Sequence, residues 1–293
     1  MTASQALLTG AELLAWRREQ LIRGGRAVDL DWLLDLAGGV GWQQLQRLRL
    51  QPAQPLELRL PLAELESLWA RHLGSGAPLQ YLVGLCSWRD LELAVAPGVL
   101  IPRAETELLV ELARCCCSGS APWRWADLGT GSGCLALALA RLWPESAGVA
   151  VDLSPVALAQ AETNLAAHGL LDRVERRLGS WWEPLADQAG ALELVVANPP
   201  YIPSAVWRKL EPVVREHEPA LALDGGPDGL DAIRAIAAGA GHHLGPGGWL
   251  LLEHHHDQSA AVLSVLHQVG LVDCGAHPDL EGKLRFAAAR AAC

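Results

Sequence analysis

The sequence predicts an α/β protein in which a small N-terminal helical bundle precedes a doubly wound, mostly parallel β-sheet. Two observations support this fold class. Up to about residue 84 the apolar side chains recur only at helical spacing, whereas from about residue 104 short apolar strands alternate with amphipathic helices. Alternating strands and helices form parallel sheets, because each helix returns the chain to the same end of the sheet. The chain has 293 residues and 51% hydrophobic content, enough for one large and one small core.

The N-terminal segment carries the signals of several short helices. Leucines recur at helical spacing over residues 7–22. Asp29 can cap a second helix that ends at a glycine pair, and Pro61 suits the first position of a helix that reaches Gly74. Short amphipathic helices with close connections pack into bundles, so residues 1–84 are expected to form one helical domain.

A different pattern joins this bundle to the rest of the chain. Apolar and more polar residues alternate from Trp88 to Val95, which predicts a β-hairpin or an extended linker over residues 85–103. Residues 104–293 form the expected α/β domain, whose last two strands follow each other without a helix, which favours an antiparallel edge pair. The expected strands are residues 123–128, 148–152, 174–178, 192–197, 249–253, 271–274 and 284–289. The clearest expected helices are residues 132–142, 155–168, 229–243 and 258–270.

Composition and charge exclude several kinds of partner. The formal net charge of −10 disfavours nucleic acid, because the chain has little positive charge to neutralise phosphates. No signal peptide is recognisable, and no apolar run reaches the ~18 residues of a membrane span, so we expect a soluble cytoplasmic protein. The cysteines include no Cys-x-x-Cys pair, and the consecutive histidines 254–256 point in alternating directions on a strand, so we expect reduced thiols and no metal.

The strongest local signal is a glycine-rich turn between an apolar strand and an apolar helix. It reads Asp127-Leu128-Gly129-Thr130-Gly131-Ser132-Gly133. Glycines let the backbone turn sharply and approach a ligand, and the helix N-terminus offers free N–H groups. The Gly-x-Gly-x-Gly spacing differs from the Gly-x-Gly-x-x-Gly of dinucleotide binders.

Two further residues extend this turn into a candidate nucleoside site. Asp152 ends the second strand, where a carboxylate can accept hydrogen bonds from both hydroxyls of a ribose. Trp181 follows the third strand and can flank an adenine ring. Together with the turn they predict an adenosyl cofactor. The alternatives are a plain strand-to-helix turn and a core tryptophan in a chain that has 12 of them.

The chemical site is predicted at Asn198-Pro199-Pro200-Tyr201, directly after an apolar strand. Doubly wound sheets bind ligands at the carboxyl ends of their strands. The side-chain oxygen of Asn198 and the carbonyl of Pro199 can each accept one hydrogen of an NH₂ group, which orients its nitrogen toward a methyl donor. Two prolines stiffen the loop, and Tyr201 can stack on a planar amide or base. Methyl transfer would then depend mainly on proximity and orientation.

Together, Asn198 to Tyr201 and the glycine turn resemble class I amino-methyltransferases. Residues 78–82 (Pro-Leu-Gln-Tyr-Leu), 98–107 (Gly-Val-Leu-Ile-Pro-Arg-Ala-Glu-Thr-Glu) and 217–223 (His-Glu-Pro-Ala-Leu-Ala-Leu) are similar to the PrmC/HemK family. That family comprises the glutamine methyltransferases of peptide-chain release factors. The resemblance covers nearly the whole chain, although Asn-Pro-Pro-Tyr by itself is shared with adenine methyltransferases of DNA.

The resemblance implies a class I, Rossmann-like methyltransferase with a seven-stranded sheet, which uses S-adenosyl-L-methionine and modulates translation termination. The target would be the glutamine of the release factor's Gly-Gly-Gln motif, and the helical domain would help to recognise this protein substrate. A monomer is expected. The residues implied for the cofactor are Asp127, Gly129, Thr130, Gly131, Ser132, Gly133, Asp152, Trp181 and Asn198. The residues implied for the glutamine are Asn198, Pro199, Pro200 and Tyr201.

This sequence departs from the family pattern at two positions, and one segment is open to two interpretations. Ala104 replaces a proline of the family, and Ser180 stands where an aspartate is common, which puts an adenine contact from that side chain in doubt. Arg103, Glu105 and Glu107 could line the entrance of the site, or the two glutamates could simply favour the start of a helix.

Three other functions compete with release-factor methylation. The same chemistry could act on a glutamine of a ribosomal protein. A nucleic-acid adenine methyltransferase would need a basic face and a DNA-reading element, and neither is evident in this sequence. A non-enzymatic nucleoside-binding module would not need the intact Asn198 and Tyr201 beside a complete glycine turn.

Overall fold

The computed structural model describes residues 8–293, which form two compact units divided between Ser87 and Trp88. Residues 1–7, where the expected helical domain begins, lie outside the described residues. The division falls within the segment where the sequence predicts a hairpin or linker. In the described part of the chain, every helix is too short or too polar to cross a lipid bilayer.

The first unit is built from short helices around a leucine- and tryptophan-rich core, which includes the fully buried Leu33 and Trp69. Asp29 lies in the first turn of its helix rather than at the cap, because that helix begins three residues earlier than expected, at Ala27. The unit also contains a two-residue strand pair that a helix-only pattern does not predict. In chain order its elements are β1 Leu8–Thr9, α1 Gly10–Arg23, α2 Ala27–Leu36, α3 Trp42–Leu50, β2 Pro55–Leu56, α4 Leu62–Ser75 and α5 Leu79–Val83.

The connecting segment contains two short strands, β3 Leu85–Trp88 and β4 Leu91–Ala94, which pair as a two-stranded sheet. The division between the two units falls inside β3. Within the second unit, the indole N–H of Trp88 donates to the carbonyl of Arg103 at 2.8 Å. This bond ties the end of β3 to the segment that precedes the first helix of the α/β fold.

The second unit contains the predicted seven-stranded sheet, in the order β10-β11-β9-β8-β5-β6-β7. The neighbours are parallel except β11, which is antiparallel to both β9 and β10, so the expected antiparallel edge is confirmed. The strands are β5 Arg124–Leu128, β6 Ala147–Asp152, β7 Val174–Leu178, β8 Leu192–Ala197, β9 Leu244–Glu253, β10 Val272–Pro278 and β11 Leu284–Arg290. The helices are α6 Glu107–Cys116, α7 Cys134–Leu142, α8 Pro155–Ala167, α9 Ser204–Trp207, α10 Pro212–Arg215, α11 Asp231–His243 and α12 Ser259–Gln268.

Helices cover both faces of the sheet, as a buried parallel sheet requires. Successive residues of one central strand point to opposite faces, so that Leu194 and Val196 join the core that includes α7, whereas Val195 joins the core beneath α11 and α12. The indole of Trp125 occupies the space above Gly148, where a Cβ would lie only 2.1 Å from the ring. A glycine is therefore required at this point of β6.

The chain order of the strands reverses beside the central strand β5. From β5 the chain proceeds through β6 and β7 toward one edge, and then returns to the other side of β5 as β8. The connections after β5 and β8 therefore leave the sheet on opposite faces and open a crevice between them. The glycine turn and the Asn-Pro-Pro-Tyr loop lie at this crevice.

Candidate active site

Three glycines of the turn after β5 adopt backbone angles that other residues rarely reach. The φ angles are +76° at Gly129, +54° at Gly131 and +80° at Gly133. A Cβ at Gly133 would lie 2.9 Å from the Cβ of Ala161, so this glycine also allows α7 to approach α8 closely. Glycine is the residue that adopts these angles with least strain, and the turn leaves the N-terminal end of α7 accessible.

The Asp127 side chain stabilises the turn through two hydrogen bonds. Its fully buried carboxylate accepts hydrogen bonds from the Thr130 hydroxyl at 2.7 Å and from the Ala136 N–H at 3.1 Å. Burial raises the pKa of Asp127 to about 7, although both hydrogen bonds act in the opposite direction. Asp127 is therefore a support for the turn and does not itself line the cavity.

Asp152 faces the same turn from the end of β6. Its carboxylate accepts hydrogen bonds from the Gly131 N–H at 2.9 Å and from the Ser154 N–H at 2.8 Å. Partial burial raises the pKa of Asp152 and outweighs these backbone bonds. Each carboxylate oxygen has more than one lone pair, so both oxygens keep acceptor capacity toward the cavity.

Trp181 adopts a strained backbone conformation beside the glycine turn. Its φ angle of +47° is rare for a bulky residue, and such outliers concentrate at functional sites. A Cβ at Gly129 would lie 3.3 Å from the indole ring, so the ring lies close to the turn. The side chain forms part of the cavity wall.

Asn198 belongs to a hydrogen-bonded chain that ends at a buried carboxylate. Its Nδ2 donates to the Thr106 hydroxyl at 3.0 Å, and that hydroxyl donates to Oε2 of Glu253 at 2.7 Å. The Tyr201 hydroxyl donates to the other oxygen, Oε1, at 3.1 Å. Burial raises the pKa of Glu253 to about 7, and burial together with the nearby Glu253 raises the pKa of Tyr201.

The Asn-Pro-Pro-Tyr loop is also anchored through its backbone. The Gln258 side chain donates to the Tyr201 carbonyl at 2.9 Å. Pro199 is buried, whereas Pro200 lines the cavity. The loop is thus attached at its start through Asn198 and at its end through Tyr201.

Arg103 joins two segments that are far apart in sequence. Its Nη2 donates to Oε1 of Glu218 at 2.6 Å, and the other oxygen of that carboxylate accepts from the Ile101 N–H at 3.3 Å. Of the three charged residues left open by the sequence, Arg103 lines the cavity, whereas Glu107 accepts from the backbone N–H of Arg89. Glu105 is solvent-exposed.

A single cavity of about 820 Å³ connects the two predicted sites. Ligand pockets of drug-sized molecules have volumes of ~300–1,000 Å³. The sequence-predicted residues in its wall are Gly129, Thr130, Gly131, Ser132, Asp152, Trp181, Asn198 and Pro200. Asp127, Gly133, Pro199 and Tyr201 lie outside this wall, where they support the loops. Residues from the predicted cofactor site and from the predicted amide site, the latter Asn198 and Pro200, therefore face one space.

Sequence reasoning assigned no role to four residues that stabilise the site, namely Thr106, Glu218, Glu253 and Gln258. Thr106 and Glu218 lie in segments that carry the family resemblance, and a signal for Glu253 was also available. Glu253 ends an apolar strand, β9, that lies next to the strand preceding Asn198, and a carboxylate at that position is unusual for a buried parallel strand.

The fold and the site together define a class I methyltransferase. The family model of the methyltransferase small domain matches residues 106–211. The crystal structure of the hMettl16 catalytic domain in complex with MAT2A 3′UTR hairpin 6 has a TM-score of 0.55 at 13% sequence identity. The matched region covers 79% of this chain and 81% of the hMettl16 chain. At 13% identity the likeness concerns the fold alone.

Sequence relatives identify the particular family. The release factor glutamine methyltransferase of Prochlorococcus marinus is 49% identical over 284 residues, which cover 96% of this chain and 97% of the relative. Those of Gloeobacter violaceus (44% identical, 88% of this chain and 89% of the relative) and Geobacter sulfurreducens (40% identical, 96% of each) match similarly. This chain belongs to the release factor glutamine methyltransferase family.

Proposed function

We propose that this protein transfers a methyl group from S-adenosylmethionine to the side-chain amide nitrogen of the glutamine in the Gly-Gly-Gln motif of peptide chain release factors. The observation that carries the proposal is the common cavity, in which Asn198 faces the space beside the glycine turn. The relatives act on release factors by name, and we extend that substrate to this chain. We place this reaction in the cytoplasm, and we assign the active form as a monomer.

The residues around the glycine turn fit an adenosyl group. The turn has no side chain at Gly129 or Gly131, so a ligand can approach the backbone there. Asp152 keeps acceptor capacity for two ribose hydroxyls, and the Trp181 indole is available to an adenine ring. When bound, S-adenosylmethionine supplies a methyl carbon whose bond to sulfur breaks as the amide nitrogen bonds to it, and one amide hydrogen leaves as a proton.

The chain's own contribution to the transfer is to orient a poor nucleophile. The lone pair of an amide nitrogen is delocalised into its carbonyl. Oδ1 of Asn198 and the carbonyl of Pro199 accept the two amide hydrogens and aim the nitrogen at the methyl carbon. Tyr201 is held by Glu253 at 3.1 Å, and we propose that its ring packs beside the planar target amide.

We assign recognition of the protein substrate to the helical unit. Trp42 and Trp32 are large apolar residues of this unit that remain 69% and 53% exposed, and such residues favour a protein interface. The Trp42→Ser variant should raise KM for the intact release factor and leave cofactor affinity unchanged. An unchanged KM for the intact factor would contradict this assignment.

The proposed function is tested by mass spectrometry of an unmethylated release factor after incubation with the protein and S-adenosylmethionine. We expect the Gly-Gly-Gln peptide to gain the mass of one methyl group minus one hydrogen. The matched control is Asn198→Ala, which should lower turnover about 10²–10³-fold, far more than it lowers cofactor affinity. If cofactor binds and the release factor stays unmodified, the proposed substrate is wrong, and ribosomal proteins become the next substrates to assay.

A further inference from the structure

We propose that Thr106 and Glu253 are positioning residues that determine which end of the Asn198 side-chain amide faces the target glutamine. The inference rests on the proposed function, because it concerns the group that orients the reacting amide. It adds two residues outside the Asn-Pro-Pro-Tyr motif to the machinery of the reaction.

The orientation of Asn198 decides whether it helps or hinders the reaction. A carboxamide has two ends of nearly equal size, but its oxygen accepts hydrogen bonds and its NH₂ group donates them. The target glutamine presents its own NH₂ group. If Asn198 were rotated by half a turn, two donors would face each other and the target nitrogen would be repelled rather than aimed.

When Glu253 is ionised, the hydrogen-bonded chain allows one orientation of Asn198. The Glu253 carboxylate can only accept, so the single hydroxyl hydrogen of Thr106 is committed to it at 2.7 Å. The Thr106 oxygen is then left with lone pairs alone, and it must accept from Nδ2 of Asn198 at 3.0 Å. Oδ1 of Asn198 is consequently the end left for the target amide.

Burial and local structure keep the Thr106 hydroxyl in the hydrogen-bonded chain between Glu253 and Asn198. Thr106 and Glu253 are only 2% and 1% exposed, so bulk water does not compete with their bond. Thr106 stands at the N-cap of α6, where a threonine hydroxyl ordinarily accepts a helix N–H, yet it makes no such capping bond. Its hydroxyl is used for the chain to Asn198 instead.

The charge of Glu253 determines which groups donate and which accept in this hydrogen-bonded chain. A protonated Glu253 can donate to Thr106, whose hydrogen could then turn toward Asn198 and favour the opposite amide orientation. Besides the hydroxyls of Thr106 and Tyr201, Glu105 and Arg285 act on this carboxyl, the first raising its pKa and the second lowering it. Because burial brings the pKa of Glu253 to about 7, turnover should fall as the pH drops below that value.

The test compares Thr106→Val, which keeps the shape and loses the hydroxyl, with Thr106→Ser, which keeps the hydroxyl. With an unmethylated release factor, the valine variant should lose about 10–100-fold in kcat, as expected for one buried hydrogen bond, while cofactor affinity stays unchanged. The serine variant should stay within about threefold of the wild type. Combined with Asn198→Ala, the valine change should cost nothing further, because Thr106 acts through Asn198.

A second measurement needs no substrate. In ¹⁵N-labelled protein, the side-chain amide protons of Asn198 should be protected from exchange with water in the wild type and in Thr106→Ser, and should lose this protection in Thr106→Val. Equal protection in all three proteins would overturn the inference, and so would full turnover of the valine variant or an additive loss with Asn198→Ala. If the protection pattern is as expected but the wild type leaves the release factor unmodified, the proposed substrate fails while the inference stands.

Discussion

Breaking the ion pair between Arg103 and Glu218 should destabilise the α/β unit and lower its affinity for the cofactor. The Glu218 side chain is only 2% exposed, whereas that of Arg103 is 35% exposed. Replacement of Arg103 by methionine keeps the apolar stem but leaves the buried carboxylate with a single partner, the Ile101 N–H at 3.3 Å. A buried charge that loses its partner is costly, because the lost interaction is not replaced by water.

The expected magnitude follows from these exposures. A hydrogen bond to a charged group contributes ~1.5–3 kcal/mol, and the solvent exposure of Arg103 reduces this value, so we expect Arg103→Met to cost about 1–2 kcal/mol. For a unit of this size the unfolding temperature should fall by ~2–8 °C. The cofactor affinity should fall as well, because Arg103 and the segment after Glu218 both line the cavity.

Calorimetric unfolding and cofactor titration check this prediction. The matched control is Arg141→Met, which breaks a pair with Asp90 whose side chains are 44% and 70% exposed, and which should cost less than about 0.5 kcal/mol. Glu218→Gln and the double variant complete a cycle with Arg103→Met, and we expect a coupling of at least ~1 kcal/mol. If Arg103→Met lowers the free energy of unfolding by no more than Arg141→Met does, the pair of Arg103 and Glu218 does not stabilise the two segments that it joins.

Three further predictions concern substitutions of single residues. Asp152→Ala should weaken cofactor binding about 5–150-fold through lost charged hydrogen bonds, and an unchanged calorimetric affinity would exclude the ribose role. Gly133→Ala should destabilise by about 1–3 kcal/mol more than Gly169→Ala in denaturant unfolding, because both have positive φ but only Gly133 would meet Ala161, and equal costs would contradict this. Since burial raises the pKa of Glu253 from 4.5 to about 7, the wild type should lose stability relative to Glu253→Gln as the pH rises from about 5 to 8, and a constant difference would argue against a buried charge.

The sequence predicted the strands of the sheet well, because buried strands are short apolar runs bounded by turn residues. All seven expected strands are present. The main discrepancy is β9, which begins at Leu244 rather than near residue 249. Its first half contains Gly245, Pro246 and two further glycines, which disfavour a strand by propensity but are accommodated by an irregular pairing with β8.

The candidate site was only partly predictable from sequence. The glycine turn and the Asn-Pro-Pro-Tyr loop could be recognised because their chemistry lies in consecutive residues. Thr106 contacts Glu253 across 147 positions and Asn198 across 92, so their roles depend on tertiary packing that no local pattern contains. The role of Arg103 was undecided for the same reason, since Glu218 lies 115 positions away.

The pairing of β8 with β9 has a consequence for attempts to redesign the enzyme for a different methyl-accepting substrate. Ala197 is paired with Leu252, so Asn198 and Glu253 are the next residues of neighbouring parallel strands, whose spacing of ~4.8 Å is set by the backbone ladder. Neither residue can be displaced without shifting the register of the central sheet. Thr106 belongs instead to the start of a helix, but its hydroxyl joins the two strand ends. Engineering the enzyme toward a larger or smaller acceptor would therefore keep Asn198, Thr106 and Glu253 and change other residues of the cavity wall, such as Leu221.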